Sequence, residues 1–310
     1  MSLFFILLLK IFPLYINIIL GYISTKYLHI TREAITNLLI YILGPIVVFS
    51  ATISVKIDLA ILFLPVFFYI FCSIIAFVSL FIFKNSWNDP TGNILSFSIG
   101  TGNTGYFGIP LAVIFFPPYL ADIYIFTVLA SLLYESTTGF YVTAKGNFTV
   151  KQSIQKILRL PLIYAFIAGV IFNIMGFSIP DELTSYTAQF KGAYGILGMM
   201  LIGMGLIGLN LKKGSDLDFK FISILFISKF IFWPLAILAI IYLDKTVFMF
   251  LNEDLYKVMF LFSIVPLAGN TVTLAVLLNA KPEKASFAVL LSTMLSIVYI
   301  PIVLLWYGGF

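Results

Sequence analysis

Ten apolar segments, each long enough to cross a bilayer, fill almost all of the 310-residue chain. They lie at 3–24, 34–54, 58–83, 91–117 and 121–143, then at 160–176, 192–211, 219–242, 255–280 and 285–306. A helix of about 20 apolar residues covers the hydrocarbon core of a membrane. With 61% hydrophobic and 10% charged residues, and a mean hydropathy of +1.10, the chain has more apolar surface than a soluble core could hide. Lipid is the solvent for this fold. Helices satisfy their own backbone hydrogen bonds there, so the pattern predicts an all-α membrane protein with ten transmembrane helices. The first span has no basic stretch ahead of it and no small-x-small cleavage site, and it reads as structure rather than as a signal peptide.

The first five spans resemble the second five. FPLY around Pro13 faces LPLI around Pro161, and Gly21 faces Gly169 at the same offset. Pro65 faces Pro234. FSI followed by GNT at 97–104 recurs at 262–271, and FTVLAS at 126–131 recurs as FAVLLS at 287–292. An odd number of spans leaves the membrane on the side opposite to its entry. Two inverted five-helix repeats, 1–150 and 151–310, are therefore expected, a plan common among secondary transporters.

Loop charge sets the expected orientation. With the N-terminus outside, twelve Lys and Arg residues fall on inner loops and their flanks. Four fall on the outer side: Lys56, Lys191, Lys245 and Lys257. This excess predicts a multi-pass protein of the cell membrane with both termini extracytoplasmic. The net charge of +5 is then mostly a property of the cytoplasmic face and calls for no nucleic-acid partner. Cys72 lies in an apolar run and reads as a small buried hydrophobe. His29 reads as a solvated loop residue. One histidine and one cysteine make a zinc site implausible, and neither a metalloprotease nor a nucleotide-binding signature is present. No enzyme activity, metal or cofactor is expected.

Two spans are interrupted. The fourth carries Gly100, Gly102, Gly105, Gly108 and Pro110 in eleven residues, and the ninth carries Pro266 and Gly269. Glycine runs ending in proline make poor continuous helices. Breaks at matching places in two inverted halves point to a transporter binding site, where half-helix N-termini with free N–H groups suit an anion. Asn103 and Asn270 sit at the breaks, either contacting substrate or capping helix ends, with Thr104 and Thr271 beside them. Glu135 lies about halfway through the fifth span and Lys229 midway through the eighth. Charges in hydrocarbon are costly and tend to face a protein interior or a wet cavity. Glu135 suits proton uptake and release, with a structural contact to Ser136, Thr137 or Thr138 as the other reading. Lys229 suits pairing with a carboxylate or attraction of an anion. Lys10, nearer a span end, is expected to snorkel to the interface.

GNTGYFGIPL at 102–111 resembles the fourth span of the auxin efflux carrier family, which includes plant auxin carriers and prokaryotic permeases for dicarboxylates such as malate and malonate. Pro45, Phe49 and Ser50 in the second span, KFIFWP at 229–234 and Pro301 in the tenth are similar to the same family. The resemblance implies that helices 4 and 9 are unwound and cross, with a substrate carboxylate beside the crossing. It implies a scaffold bundle from spans 1, 2, 6 and 7, commonly forming a homodimer. It implies a transport bundle from spans 3–5 and 8–10 that moves elevator-like. Asn103 and Pro110 then belong to the first broken helix, Pro266 and Asn270 to the second, and Ser50 to the scaffold wall facing the substrate. Gly102 stands where the plant carriers have a proline, and the central loop is short, which favours a small carboxylate over auxin. The expected function is secondary transport of a small organic anion, possible coupling being to protons through Glu135 or Lys229. The alternatives are an anion channel or transmembrane sensor on the same scaffold, or a sodium-coupled symporter of the bile acid type.

Overall fold

Prolines and glycines divide the chain into helices of very unequal length. The computed structural model describes residues 3–144, 158–207, 218–277 and 281–308, and every regular element among them is helical. α1 is Leu3–Leu28, α2 Arg32–Ser54 and α3 Leu59–Phe83. α4, Thr91–Ile99, and α5, Ile109–Phe115, are separated by an irregular stretch and a wide π turn at Thr104–Gly108. α6 is Pro118–Thr143. α7 is Pro161–Ile174 and α8 is Asp181–Met204. α9 is Phe219–Phe248. α10, Glu253–Ile264, and α11, Asn270–Leu277, are again two short pieces, and α12 is Pro282–Tyr307.

Among the described residues six helices are long and apolar enough to cross a membrane: α1, α2, α3, α6, α9 and α12. α7 is apolar but has only 14 residues. The interrupted spans expected at 91–117 and 255–280 correspond to α4 with α5 and to α10 with α11. The helix at the expected seventh span, 192–211, begins well before it: α8 starts at Asp181. Its first turns, DELTSYTAQFK, look like a loop by composition. Pro180 at the N-cap starts a helix there, and side chains such as Glu182 and Thr184 are simply exposed. Lys191, counted with the outer loops and their flanks, lies on this helix. Lys145, Lys151, Lys156, Lys212 and Lys213, and the boundary between 150 and 151, lie outside the described residues.

Three π turns each lie just ahead of a proline. They are Leu39–Leu43 before Pro45, Thr104–Gly108 before Pro110, and Ser228–Phe232 before Pro234. Proline has no N–H, so a carbonyl one turn earlier loses its partner and the helix widens. At Pro234 the affected carbonyl is that of Phe230, and it accepts from Tyr299 Oη at 2.8 Å instead.

Helix packing uses small residues, as expected where lipid offers no hydrophobic drive between helices. α1 lies on α8 with the backbones in close approach. A Cβ on Gly21 would collide with the Met200 backbone, and one on Gly203 with the Ile18 carbonyl. α7 lies on α2, and Asn173 Nδ2 donates to the carbonyls of Thr52, Ile53 and Val55 at 3.1, 3.0 and 2.5 Å. These are orphan acceptors at the end of α2. α3 packs on α4 and α6. Cys72 on α3 is free and fully buried, as its apolar setting predicts. The Phe68 ring of α3 stacks on Phe262 of α10 with centroids 3.9 Å apart. At one end of these helices Asp218 caps α9 at Phe221 N, 3.0 Å, and accepts from Trp87 Nε1 at 2.7 Å and Lys284 Nζ at 2.8 Å.

Candidate anion site at the crossing of two broken spans

The first break begins where α4 runs out of backbone partners. Side chains help to take up the last carbonyls: Tyr134 Oη donates to Phe97 O at 3.0 Å, beside the Gly100 N–H, and Trp233 Nε1 donates to Ile99 O at 2.7 Å. Residues 101–103 are then irregular. α10 stops at Ile264, two residues before Pro266, and residues 266–268 are also irregular. The two irregular stretches touch. Asn103 N–H donates to Pro266 O at 2.8 Å, so the breaks cross at the level of the backbone. Gly102 leaves room for its neighbours at this point: a Cβ there would come within 2.5 Å of Lys229 Nζ and 2.9 Å of Val265 Cγ2, so those side chains would have to shift.

α6 supplies the polar groups that hold the crossing from one side. Glu135 sits just before its bend at Thr137, where φ is −118° and ψ is −94°. Thr101 Oγ1, from the first break, donates to Glu135 Oε1 at 3.0 Å. Asn270 Nδ2, from the second, donates to Glu135 Oε2 at 2.6 Å. One carboxylate therefore joins both breaks. One turn earlier on α6, Ser131 Oγ accepts from Thr104 Oγ1 at 2.9 Å.

A cavity of about 580 Å³ opens beside the crossing. Its polar wall includes Gly102, Asn103, Thr104, Glu135, Gly269 and Asn270. Opposite are aliphatic side chains of α2 such as Leu39, Ile40 and Val48, together with Tyr194 of α8. Arg32, at the start of α2, is the one basic side chain on the wall among the described residues. Asn103 is 4% exposed, and its Nδ2 has no hydrogen-bond partner among the described residues. A buried donor without a partner carries an unmet desolvation cost, which an acceptor in the cavity would relieve.

The structure gathers most of the sequence-predicted residues, though not in equivalent roles. Asn103 and Thr104 face the cavity, whereas Asn270 is engaged with Glu135. Among the described residues, Thr271 Oγ1 is buried without a hydrogen-bond partner and off the cavity wall. Lys229 Nζ is buried, likewise lacks a hydrogen-bond partner among them, and lies against Gly102. Ser50 is buried with its hydroxyl on Val47 O at 3.1 Å and is not on the wall, whereas Val48 of the same helix is. Pro110 packs against Gly195 of α8, not against the cavity. The hydrogen bonds described for Glu135 come from Thr101 and Asn270, while the Thr137 hydroxyl donates to Leu133 O and that of Thr138 accepts from Ser73. Sequence reasoning missed Thr101, Ser131 and Arg32. Thr101 lies between Gly100 and Gly102 of the glycine-rich fourth span, and Ser131 ends the repeated FTVLAS motif, so both had a signal. Arg32 reads as a loop charge until α2 is seen to begin there.

Several apolar helices packed around a polar, interrupted centre define a multi-pass membrane transport protein. Residues 147–307, just over half of the chain, match the family described as Membrane transport protein. The chain belongs to this family, the auxin efflux carrier family, whose members are transporters and not enzymes. No curated protein matches the chain.

Proposed function

We propose that this membrane transporter is a secondary carrier for a small organic anion, a carboxylate or dicarboxylate, bound beside the crossing and moved by alternating access. The observation that carries the reading is the orphaned amide of Asn103 on the wall of a cavity that also holds Arg32. A carboxylate there would accept from Asn103 Nδ2 in the field of the Arg32 guanidinium. The aliphatic α2 wall would cover the rest of the molecule.

The architecture behind this reading is ten spans in two inverted repeats, 1–150 and 151–310. Support comes from the matched motifs FTVLAS and FAVLLS, whose last serines both hold a break. Ser131 Oγ accepts from Thr104 Oγ1, and Ser292 Oγ accepts from Leu267 N at 3.2 Å. Packing of α1 on α8 and of α7 on α2 fits a scaffold bundle, with homodimer formation through it. Elevator-like movement of the remaining helices would carry the crossing past that scaffold. Protons taken up by Glu135 are the proposed coupling ion, and both termini are placed outside the cell membrane by loop charge.

Thermal unfolding of purified protein across a panel of mono- and dicarboxylates tests the reading. A binding carboxylate raises the midpoint in a concentration-dependent way. Stabilisation by no organic anion, or equal stabilisation of Asn103→Ala, would overturn it.

A further inference from the structure

Tyr106 and Arg32 line the same cavity, and α8 measures how far apart its two ends stand. Tyr106, in the π turn that follows Asn103, packs on Gly198, where an added Cβ would lie 3.2 Å from Tyr106 Cα. The guanidinium carbon of Arg32 lies beside Gly205, the C-cap of α8, at 3.8 Å from where a Cβ would stand. At a rise of about 1.5 Å per residue, positions 198 and 205 are about 10 Å apart along the helix axis. The crossing and Arg32 therefore mark separate ends of one cavity.

Each end offers donors. At the crossing, Asn103 Nδ2 has no hydrogen-bond partner among the described residues. At the other end Arg32 forms no ion pair among them, whereas Lys191, Lys245, Lys257, Lys281 and Lys284 each pair with a carboxylate. Between the ends the α2 wall is aliphatic at Leu39 and Ile40. Methylenes laid on such a wall leave water favourably, and hydroxyls do not. A guanidinium grips a carboxylate through two parallel N–H···O bonds, a geometry that a lone ammonium cannot supply. The complement of this wall is a single molecule with a carboxylate at each end and a run of methylenes between. A short diacid held at Asn103 would leave Arg32 unused.

We propose that Arg32 is a specificity-determining residue for the far end of the ligand. Asn103 takes one carboxylate, Arg32 takes a second one several methylenes away, and the preferred ligand is an extended α,ω-dicarboxylate rather than a short one. This inference rests on the reading of the crossing as the anion site.

The test is calorimetric titration of the full chain with succinate, adipate and suberate, each against its monomethyl ester. The ester keeps the length and removes the far charge. The parent should bind adipate or suberate about tenfold more tightly than its half-ester, the worth of one hydrogen bond to a charged group and more than two equivalent ends give statistically. Succinate should bind more weakly than the better of the two longer diacids. Arg32→Met should bring each diacid level with its half-ester while half-ester affinity stays near that of the parent, and Arg32→Lys should keep part of the preference. Equal binding of diacid and half-ester by the parent, a preference that survives in Arg32→Met, or succinate binding as tightly as the longer diacids would overturn the proposal. If Arg32→Met does not fold, Arg32→Lys and the length series in the parent decide. Half-ester binding that Asn103→Ala abolishes, with no preference for any diacid, would sink the Arg32 anchor and keep the anion site. Binding of neither diacids nor half-esters by the folded parent would sink the anion-site reading and the anchor with it.

Discussion

The side-chain amide of Asn270 donates to Glu135 Oε2 at 2.6 Å, while Thr101 donates to the other oxygen of the same carboxylate at 3.0 Å. The ionised form of Glu135 accepts from both breaks at once, so its protonation state and the geometry of the crossing are coupled. Glu135→Gln has a single acceptor oxygen and cannot titrate. It should still bind substrate, lose the pH dependence of uptake and fail to accumulate substrate against a gradient. Uptake by reconstituted vesicles across pH reads this directly. An unchanged pH profile would reduce Glu135 to a structural tie.

Asn103 and Asn270 should part company on mutation. Asn103 Nδ2 has no hydrogen-bond partner among the described residues, so Asn103→Ala should leave stability nearly unchanged while weakening carboxylate binding roughly ten- to a hundredfold. That is the loss of one hydrogen bond to a charged group, about 1.5–3 kcal/mol. Asn270→Ala instead releases one oxygen of Glu135, and it should shift the pH profile of uptake. Calorimetric titration for the first and pH-jump uptake for the second separate the two.

Asp122 of α6 and Lys191 of α8 form an ion pair at 2.5 Å, with side chains 7% and 13% exposed. The pair joins a helix of the proposed transport bundle to one of the proposed scaffold. Removing one partner leaves a buried charge alone, which typically costs about 3–5 kcal/mol. Asp122→Asn and Lys191→Met should each destabilise more than the double variant, as a thermal double-mutant cycle would measure. If the bundles slide, a disulfide between Asp122→Cys and Lys191→Cys should stop transport until it is reduced. Undiminished uptake by the cross-linked protein would exclude relative motion at this point.

Asp218 gives a pH-dependent clamp outside the spans. Partial burial pushes its carboxyl up, but hydrogen bonds from Lys284, the Phe221 N–H and the Trp87 indole, together with the Lys284 charge, outweigh burial and hold it below the ordinary carboxylate range. A depressed folded value means stability that is present above the unfolded value of about 3.9 and lost as pH falls through the folded one. Asp218→Asn should therefore be less stable than the parent at neutral pH, with the gap closing as pH drops below about 4. Midpoints measured at both pH values check the sign.

Orientation can be read with single cysteines in a Cys72→Ser background. Lys151→Cys and Lys213→Cys should be protected from a membrane-impermeant thiol reagent added to intact cells. A cysteine appended after Phe310 should react. Labelling of position 151 from outside would invert the proposed topology.

The ten apolar runs, the two proline-containing breaks and the in-span charges were legible because each is a local property of the chain. Hydropathy is a sum over about 20 neighbours, and a missing proline N–H acts within one turn. The polar start of α8 carries no signal in the sequence for the same reason. Composition reports the surroundings a segment prefers, and Glu182 and Thr184 are exposed on a helix as readily as in a loop.

Long-range pairing was not legible. From sequence Asn103 and Asn270 are equivalent, each in a GNT triplet, yet one is left with an orphaned donor and the other is spent on Glu135, 135 residues away. Nothing local distinguishes them; the difference arises from which helix happens to pack against each break. Likewise Lys229 is simply a lysine before a proline until Gly102 and Trp233 close around its ammonium. The sequence by itself determined a lipid-embedded helical chain and where its helices must break. Only the tertiary structure decided which polar groups meet at those breaks, because a hydrogen bond depends on distances of a few tenths of an ångström between segments that the chain does not hold together.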